Sequence, residues 1–150
     1  LSAAPWPTLT QPRPRPPMPI PYVDTIARVN YSEIDQMGVV YYANYLRYME
    51  RARTEYMADR GAPVKALMDQ GILFLIARAE IDYRSSARYG DTIVVETWIS
   101  EITAASIMFE HAMTEKTSGR LIADCKAKAV CVGSDSRPKR IPKEIAEKLR

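Results

Sequence analysis

One stretch of helical periodicity followed by four stretches of strand periodicity leaves this chain few folds to choose from. At about 100° per residue, Leu46, Met49, Arg53, Tyr56 and Met57 share one stripe of residues 43–60, which Tyr42 and Tyr45 extend. Gly61 suits the position just past a helix, and Pro63 blocks continuation. Residues 72–84 begin as a continuous apolar run and end alternating. Ile93, Val95, Thr97 and Ile99 share a face of 91–101, and Ile107, Phe109, His111 and Met113 share a face of 104–116. Along 120–132 one face carries Leu121, Ala123, Cys125, Ala127, Ala129 and Cys131, small residues that predict a bulky neighbour packed close. An imperfect alternation of Val23, Ala27, Val29 and Tyr31 predicts a first strand. Short helices are expected over 63–70, closed by Gly71, and from Pro142 onward. The order is strand, long helix, four strands, with an antiparallel meander after the helix as its simplest arrangement. The expected class is α+β, one long central helix packed on a curved antiparallel sheet of about five strands. One such helix leaves part of the sheet uncovered, which points to a homodimer.

The 150 residues fit one domain, expected over 22–150. Eight of the eleven prolines fall in 1–21, predicting an extended or disordered arm. Within it, Arg13-Pro14-Arg15-Pro16-Pro17 resembles a Pro-rich partner ligand, although a passive tail explains it as well. The net charge of +3 resides in the tails: residues 1–22 carry +2, 134–150 carry +3, and 23–133 carry −2. A nucleic-acid domain concentrates positive charge on its folded face instead, so no nucleic-acid partner is expected. No apolar run reaches the roughly 20 residues of a membrane span and no secretory signal pattern is visible, so a cytoplasmic location is expected. Cys125 and Cys131 lie six residues apart on one strand face, too far to pair and without metal-site spacing. No metal and no cofactor is expected.

The chemistry concentrates in Asp35-Gln36-Met37-Gly38-Val39-Val40-Tyr41-Tyr42-Ala43-Asn44-Tyr45. A carboxylate stands seven residues ahead of a predicted helix start, across a short apolar turn hinged on Gly38. Helix N-termini present free N–H groups and a positive dipole end, which suit an oxygen that gains negative charge in a reaction. A carboxylate beside that terminus is placed to attack a carbonyl or to activate a water. The alternative is structural: Asp35 is also a normal turn residue.

This stretch, continuing through Leu46-Arg47-Tyr48-Met49-Glu50-Arg51-Ala52-Arg53, is similar to the signature of the 4-hydroxybenzoyl-CoA thioesterase-like proteins of the hotdog fold. Tyr83 with Ala87-Arg88-Tyr89-Gly90-Asp91 resembles that family's second recurring segment. The resemblance covers roughly residues 22–145 and implies metal-independent hydrolysis of an acyl thioester, with coenzyme A or phosphopantetheine as part of the substrate. It implies Asp35 as nucleophile or general base and the Tyr42 N–H as oxyanion donor. Gly38, Val39, Tyr45, Glu50, Arg84 and Arg88 are the expected substrate contacts. Acyl-CoA or an acyl-carrier protein is the expected partner, and a dimer or dimer of dimers the expected assembly. Where many relatives carry His, this chain has Tyr42, which leaves the chemistry to a single carboxylate. Residues 101–106 hold no basic side chain, so a phosphate contact falls to Arg84, Arg88 or the C-terminal tail.

Several residues have bland readings beside the functional ones. His111, the one histidine, falls in an apolar strand register and is expected in the core or an interface. Glu50 lies three residues before Arg53 and is its natural ion partner. Arg78, Glu80, Asp82 and Arg84 alternate as a solvated strand face would. Three rival functions remain: a dehydratase, which needs a placed histidine; release of a carrier-bound polyketide or fatty acyl chain; and a non-enzymatic acyl-thioester-binding protein.

Overall fold

The computed structural model describes residues 22–150; the Pro-rich arm, and the proposed partner motif within it, lie outside the described residues. Strand β1 (Tyr22–Arg28) leads through a 3-10 turn at Tyr31–Glu33 to helix α1 (Asn44–Asp59) and helix α2 (Val64–Asp69). Strands β2 (Leu73–Tyr83), β3 (Thr92–Ile102), β4 (Ser106–Glu115) and β5 (Leu121–Val132) follow, and helix α3 (Lys143–Leu149) ends the chain. The five strands form one antiparallel sheet in the order β1-β3-β4-β5-β2. This is the helix-on-sheet arrangement that the order of periodicities predicts.

Two features differ from the sequence expectation. The meander holds for β3, β4 and β5, but β2 pairs with β5 and not with β3. Residues 84–91 therefore cross from one edge of the sheet to the other side of its centre, and that crossing carries part of the site. The buried stripe of α1 is also rotated. It runs through Tyr45, Tyr48, Met49, Ala52, Tyr56 and Met57, while Leu46 is 45% exposed and Arg53 is half-buried. Tyr45, Met49, Tyr56 and Met57 belong to both stripes. The neighbouring row wins because Ala52, with no bulk beyond Cβ, lets the helix axis approach the sheet.

The small face of β5 receives the bulky one of α1. Ala123, Cys125 and Ala127 pack with Tyr45, Tyr48 and Met49, together with Val29, Ile93, Val95 and Met113. Burial of a side chain such as Met49 contributes about 1.5–3 kcal/mol. A second cluster joins Tyr56 and Met57 to Leu67, Phe109, Cys131 and the apolar face of α3, Ile145 and Leu149. Tyr56 meets Phe109 edge-on at 6.0 Å. Both cysteines are buried and neither forms a disulfide. Among the described residues, no helix is long and apolar enough to cross a membrane.

Candidate functional site

Asp35 opens a tight turn. Its N–H donates to the Val39 carbonyl at 2.8 Å, and its own carbonyl accepts from the Gly38 N–H at 3.0 Å. Its side-chain Oδ1 accepts from the Met37 N–H at 2.8 Å, which fixes the carboxylate on the turn. No described hydrogen bond takes the other oxygen. Gly38 sits at φ +75°, the left-handed region, and nothing lies within 4 Å of a Cβ built there. Gly38 therefore makes the turn, where no other residue would sit without strain. Gly38→Ala is expected to destabilise the protein by about 1 kcal/mol through backbone strain alone, read as a lower urea midpoint with an unchanged slope.

The chain returns from this turn along two supports. The Val40 N–H donates to the Ala87 carbonyl at 2.8 Å, and the Tyr41 N–H to the Glu33 carbonyl at 2.9 Å. The helix begins at Asn44 with Ala43 as its cap, one residue later than expected. Ala43 is already α-helical in φ and ψ, and the Asn44 N–H reaches back to the Tyr41 carbonyl at 2.8 Å. The chain thus enters the helix through an extra turn. Among the described residues, the N–H groups of Tyr42 and Ala43 donate to no backbone carbonyl, whereas those of Tyr41 and Asn44 do. They are unclaimed donors at the cap residue and the residue just ahead of it.

Asp35, Val39, Tyr42, Tyr45 and Arg84 line one cavity of about 340 Å³, together with Val40, Tyr83, Ser85 and Ser86. Five of the residues expected at the site are thereby brought together. Tyr45 and Tyr83 meet edge-on at 5.5 Å, and burial pushes both phenols up, so they stay neutral. The Tyr45 hydroxyl accepts from the Ala87 N–H at 3.3 Å. The far wall, Ser85 and Ser86, is held by Arg120, which donates to the Ser85 hydroxyl at 2.8 Å and to the Ser86 carbonyl at 2.7 Å.

Sequence reasoning missed Tyr83 as a site residue, although it opens the second segment of the family resemblance. Its hydroxyl donates to the Tyr42 carbonyl at 2.9 Å and so orients the peptide that carries the Ala43 N–H. Tyr83→Phe is expected to lower kcat a few-fold with little change in stability, because one part-exposed hydrogen bond contributes only about 1 kcal/mol. Steady-state kinetics beside a melting curve checks this.

Three expected contacts, Gly38, Glu50 and Arg88, are not among the residues lining that cavity. Glu50 lies two turns along α1 and lines a separate, mainly apolar cavity with Arg53, Met57, Leu67 and Phe74. Within one protomer it does not meet Asp35. Burial lowers the Arg53 pKa and the Glu50 charge only partly opposes this, without an ion pair between them among the described residues. Arg88 is exposed and lines neither cavity; its backbone pairs with Val39 and donates to Asp91 Oδ2 at 2.9 Å. Arg84 is not on a solvated face. Its side chain is 10% exposed and paired with the 8% exposed Asp124 at 3.1 Å, because the end of β2 turns inward beside β5. That guanidinium is already neutralised, which weakens it as a phosphate contact.

His111 is buried, as its register predicts, with Nδ1 2.9 Å from the Thr97 hydroxyl. It is far from free to shuttle protons: burial, helped by the charge of Arg53, lowers its pKa to about 3. Among the described residues, no group of His, Cys, Asp and Glu side chains is gathered as a metal site.

A profile of the thioesterase-like superfamily matches residues 29–149, so the chain belongs to that superfamily. Among relatives, it is 36% identical over 120 residues to the acyl-CoA thioesterase YbgC of Haemophilus influenzae, covering 79% of this chain and 87% of that one. It is 29% identical over 124 residues to the acyl-CoA thioester hydrolase YbgC of Escherichia coli O6:H1, covering 82% and 92%. A hypothetical protein of Thermus thermophilus superposes with a TM-score of 0.80 at 29% identity, covering 84% of this chain and 95% of that one.

Proposed function

We propose that this protein hydrolyses an acyl thioester, of coenzyme A or of a carrier protein, to a free acid and a thiol. The observation that carries the reading is one cavity lined by both Asp35 and Tyr42, whose N–H donates to no backbone carbonyl among the described residues. The thioester carbonyl oxygen accepts from the Tyr42 N–H, and the carbonyl carbon is left facing Asp35. Two routes use the same geometry. Asp35 either takes a proton from a water that attacks the carbon, or attacks directly to form a mixed anhydride that water then opens. In each, the C–S bond breaks, the thiolate leaves and takes up a proton, and the acid is released. The growing negative charge on the carbonyl oxygen is held by an N–H that needs no reorganisation. The membership of the superfamily and the two YbgC relatives support the reaction class.

The dehydratase alternative loses support, because His111 is buried against Thr97 and lines none of the cavities described above. The test is release of free thiol from a panel of aromatic, short-chain and long-chain acyl-CoA thioesters. Turnover of at least one class is expected. Tight binding with no turnover across the panel would favour the non-enzymatic reading.

A homodimer fits the same reading. β2 is an edge strand whose residues 75–79 are exposed, including Leu75 at 49% and Ile76 at 45%. An exposed apolar edge of this length is normally covered. Light scattering on the purified protein is expected to give twice the chain mass or a multiple of it.

A further inference from the structure

Asp35 borders a second space. On its other side an open cleft of about 820 Å³ runs between the 3-10 turn and the start of α1, lined by Tyr31, Asp35, Tyr41, Ala43, Asn44 and Arg47 among others. The residues with unclaimed N–H groups straddle the boundary: Tyr42 lines the smaller cavity and Ala43 the cleft. A thioester held there must send its acyl group to one side and its thiol arm to the other.

Charge and size decide which goes where. In the smaller cavity Arg84, the one cation among the described lining residues, is tied to Asp124, and the other walls are Val39, Val40, three tyrosines, Ser85 and Ser86 beside Asp35. In the cleft Arg47 is exposed and forms no ion pair among the described residues. Two aromatic rings stand open there, Tyr31 at 76% exposure and Tyr41 at 45%. Tyr31 is braced edge-on by Tyr89 at 6.0 Å, and Tyr41 is set by Tyr42 at 4.7 Å. Exposed rings held in place suit stacking of a planar base or amide, and a free guanidinium suits a phosphate. Placing a phosphate in the smaller cavity would instead leave Arg47 idle and bring a second anion to Arg84.

We infer that the open cleft binds the phosphate-bearing arm of the thiol, with Arg47 as its phosphate contact, and that the smaller cavity takes the acyl group. This rests on the thioester-hydrolase reading above. Arg47 is a binding residue and takes no part in the chemistry.

The experiment compares Arg47→Glu with wild type on one acyl group carried by coenzyme A and by N-acetylcysteamine, which ends before any phosphate. Lys116→Glu, an equal charge change on the exposed β4–β5 turn, controls for the overall field. Arg47→Glu is expected to raise KM for the coenzyme A thioester roughly tenfold, with kcat within about twofold, because a charge-assisted contact is replaced by repulsion. KM for the N-acetylcysteamine thioester changes less than about twofold, and Lys116→Glu moves neither. Equal changes on both substrates, or none on either, would overturn the inference while leaving the hydrolase reading intact. Calorimetric titration with free coenzyme A reads the same contact without turnover; an unchanged Kd in Arg47→Glu counts equally against it. The same acyl group on a carrier protein separates the two sources of phosphate. A KM rise in that arm as well puts Arg47 on the phosphopantetheine phosphate, and a rise with coenzyme A alone puts it on the nucleotide.

Discussion

Between pH 6.5 and pH 4.5 the protein is expected to lose about 1.4 kcal/mol of stability for each pH unit, and His111 is the reason. Its folded pKa is lowered to about 3 from 6.5, first by burial and then by the positive charge of Arg53. Below pH 6.5 the unfolded chain binds a proton that the folded chain refuses. The penalty grows until pH falls through the folded pKa near 3 and is absent above 6.5. Across the whole window it is roughly 4 kcal/mol, a large share of the ~5–15 kcal/mol that holds an ordinary domain. Glu115 adds to the loss only further down. The Ser118 hydroxyl and the N–H groups of Thr117 and Ser118 hold its pKa near 2, so its contribution is complete above about 4.5 and vanishes as pH falls through 2. Urea unfolding of wild type and His111→Gln at pH 6.5, 5.5 and 4.5 separates the terms. The variant is expected to lose less than half as much stability per unit as wild type; equal slopes would remove His111 as the cause.

Most of the fold was legible because its elements announce themselves by period. The faces of β3, β4 and β5 were readable from alternation, and the helix was placed to within a residue at each end, 43–60 expected against Asn44–Asp59 observed. What was not legible depends on contacts between distant segments. Nothing within 72–84 says that it pairs with β5 across the sheet and not with its chain neighbour β3. The seam of α1 was ambiguous for a similar reason. Two adjacent rows of the helix are comparably apolar, and the choice belongs to the small side chains of β5 that meet it.

The site divides along the same line. Asp35 and Tyr42 belong to one local turn and helix start, so their nearness was readable before any fold. Tyr83 arrives from 41 residues away along the chain and reaches the Tyr42 carbonyl only because β2 and the crossing segment pass beside it. Glu50 stands apart from Asp35 within one protomer for the reverse reason. It is close in sequence, but helix rise carries it roughly 9 Å from the first turn and into another cavity. Arg84 reads as a surface cation until Asp124 is found across the strand pair.

Asp35→Asn is expected to lower kcat for thioester hydrolysis by at least about a hundredfold, and by about a thousandfold if no water takes over the role. The substitution is nearly isosteric, and the carbonyl oxygen of the new amide can still accept from the Met37 N–H, as the Asp35 carboxylate does at 2.8 Å. The turn therefore holds, and stability should change by less than about 0.5 kcal/mol. What is lost is the negative charge that attacks the carbonyl or takes a proton from water. On the proposed reading the cavity walls and the cleft hold the substrate, so Kd should stay within a few-fold. Among the described residues no second carboxylate or histidine lines the cavity: its other polar walls are tyrosines, serines and an arginine already paired. Single-turnover release of thiol from the best acyl thioester, by wild type and by Asp35→Asn at matched binding saturation, is the direct measurement. Normal binding with hydrolysis slowed at least about a hundredfold in the variant is the predicted result; hydrolysis at the wild-type rate would contradict the role assigned to Asp35.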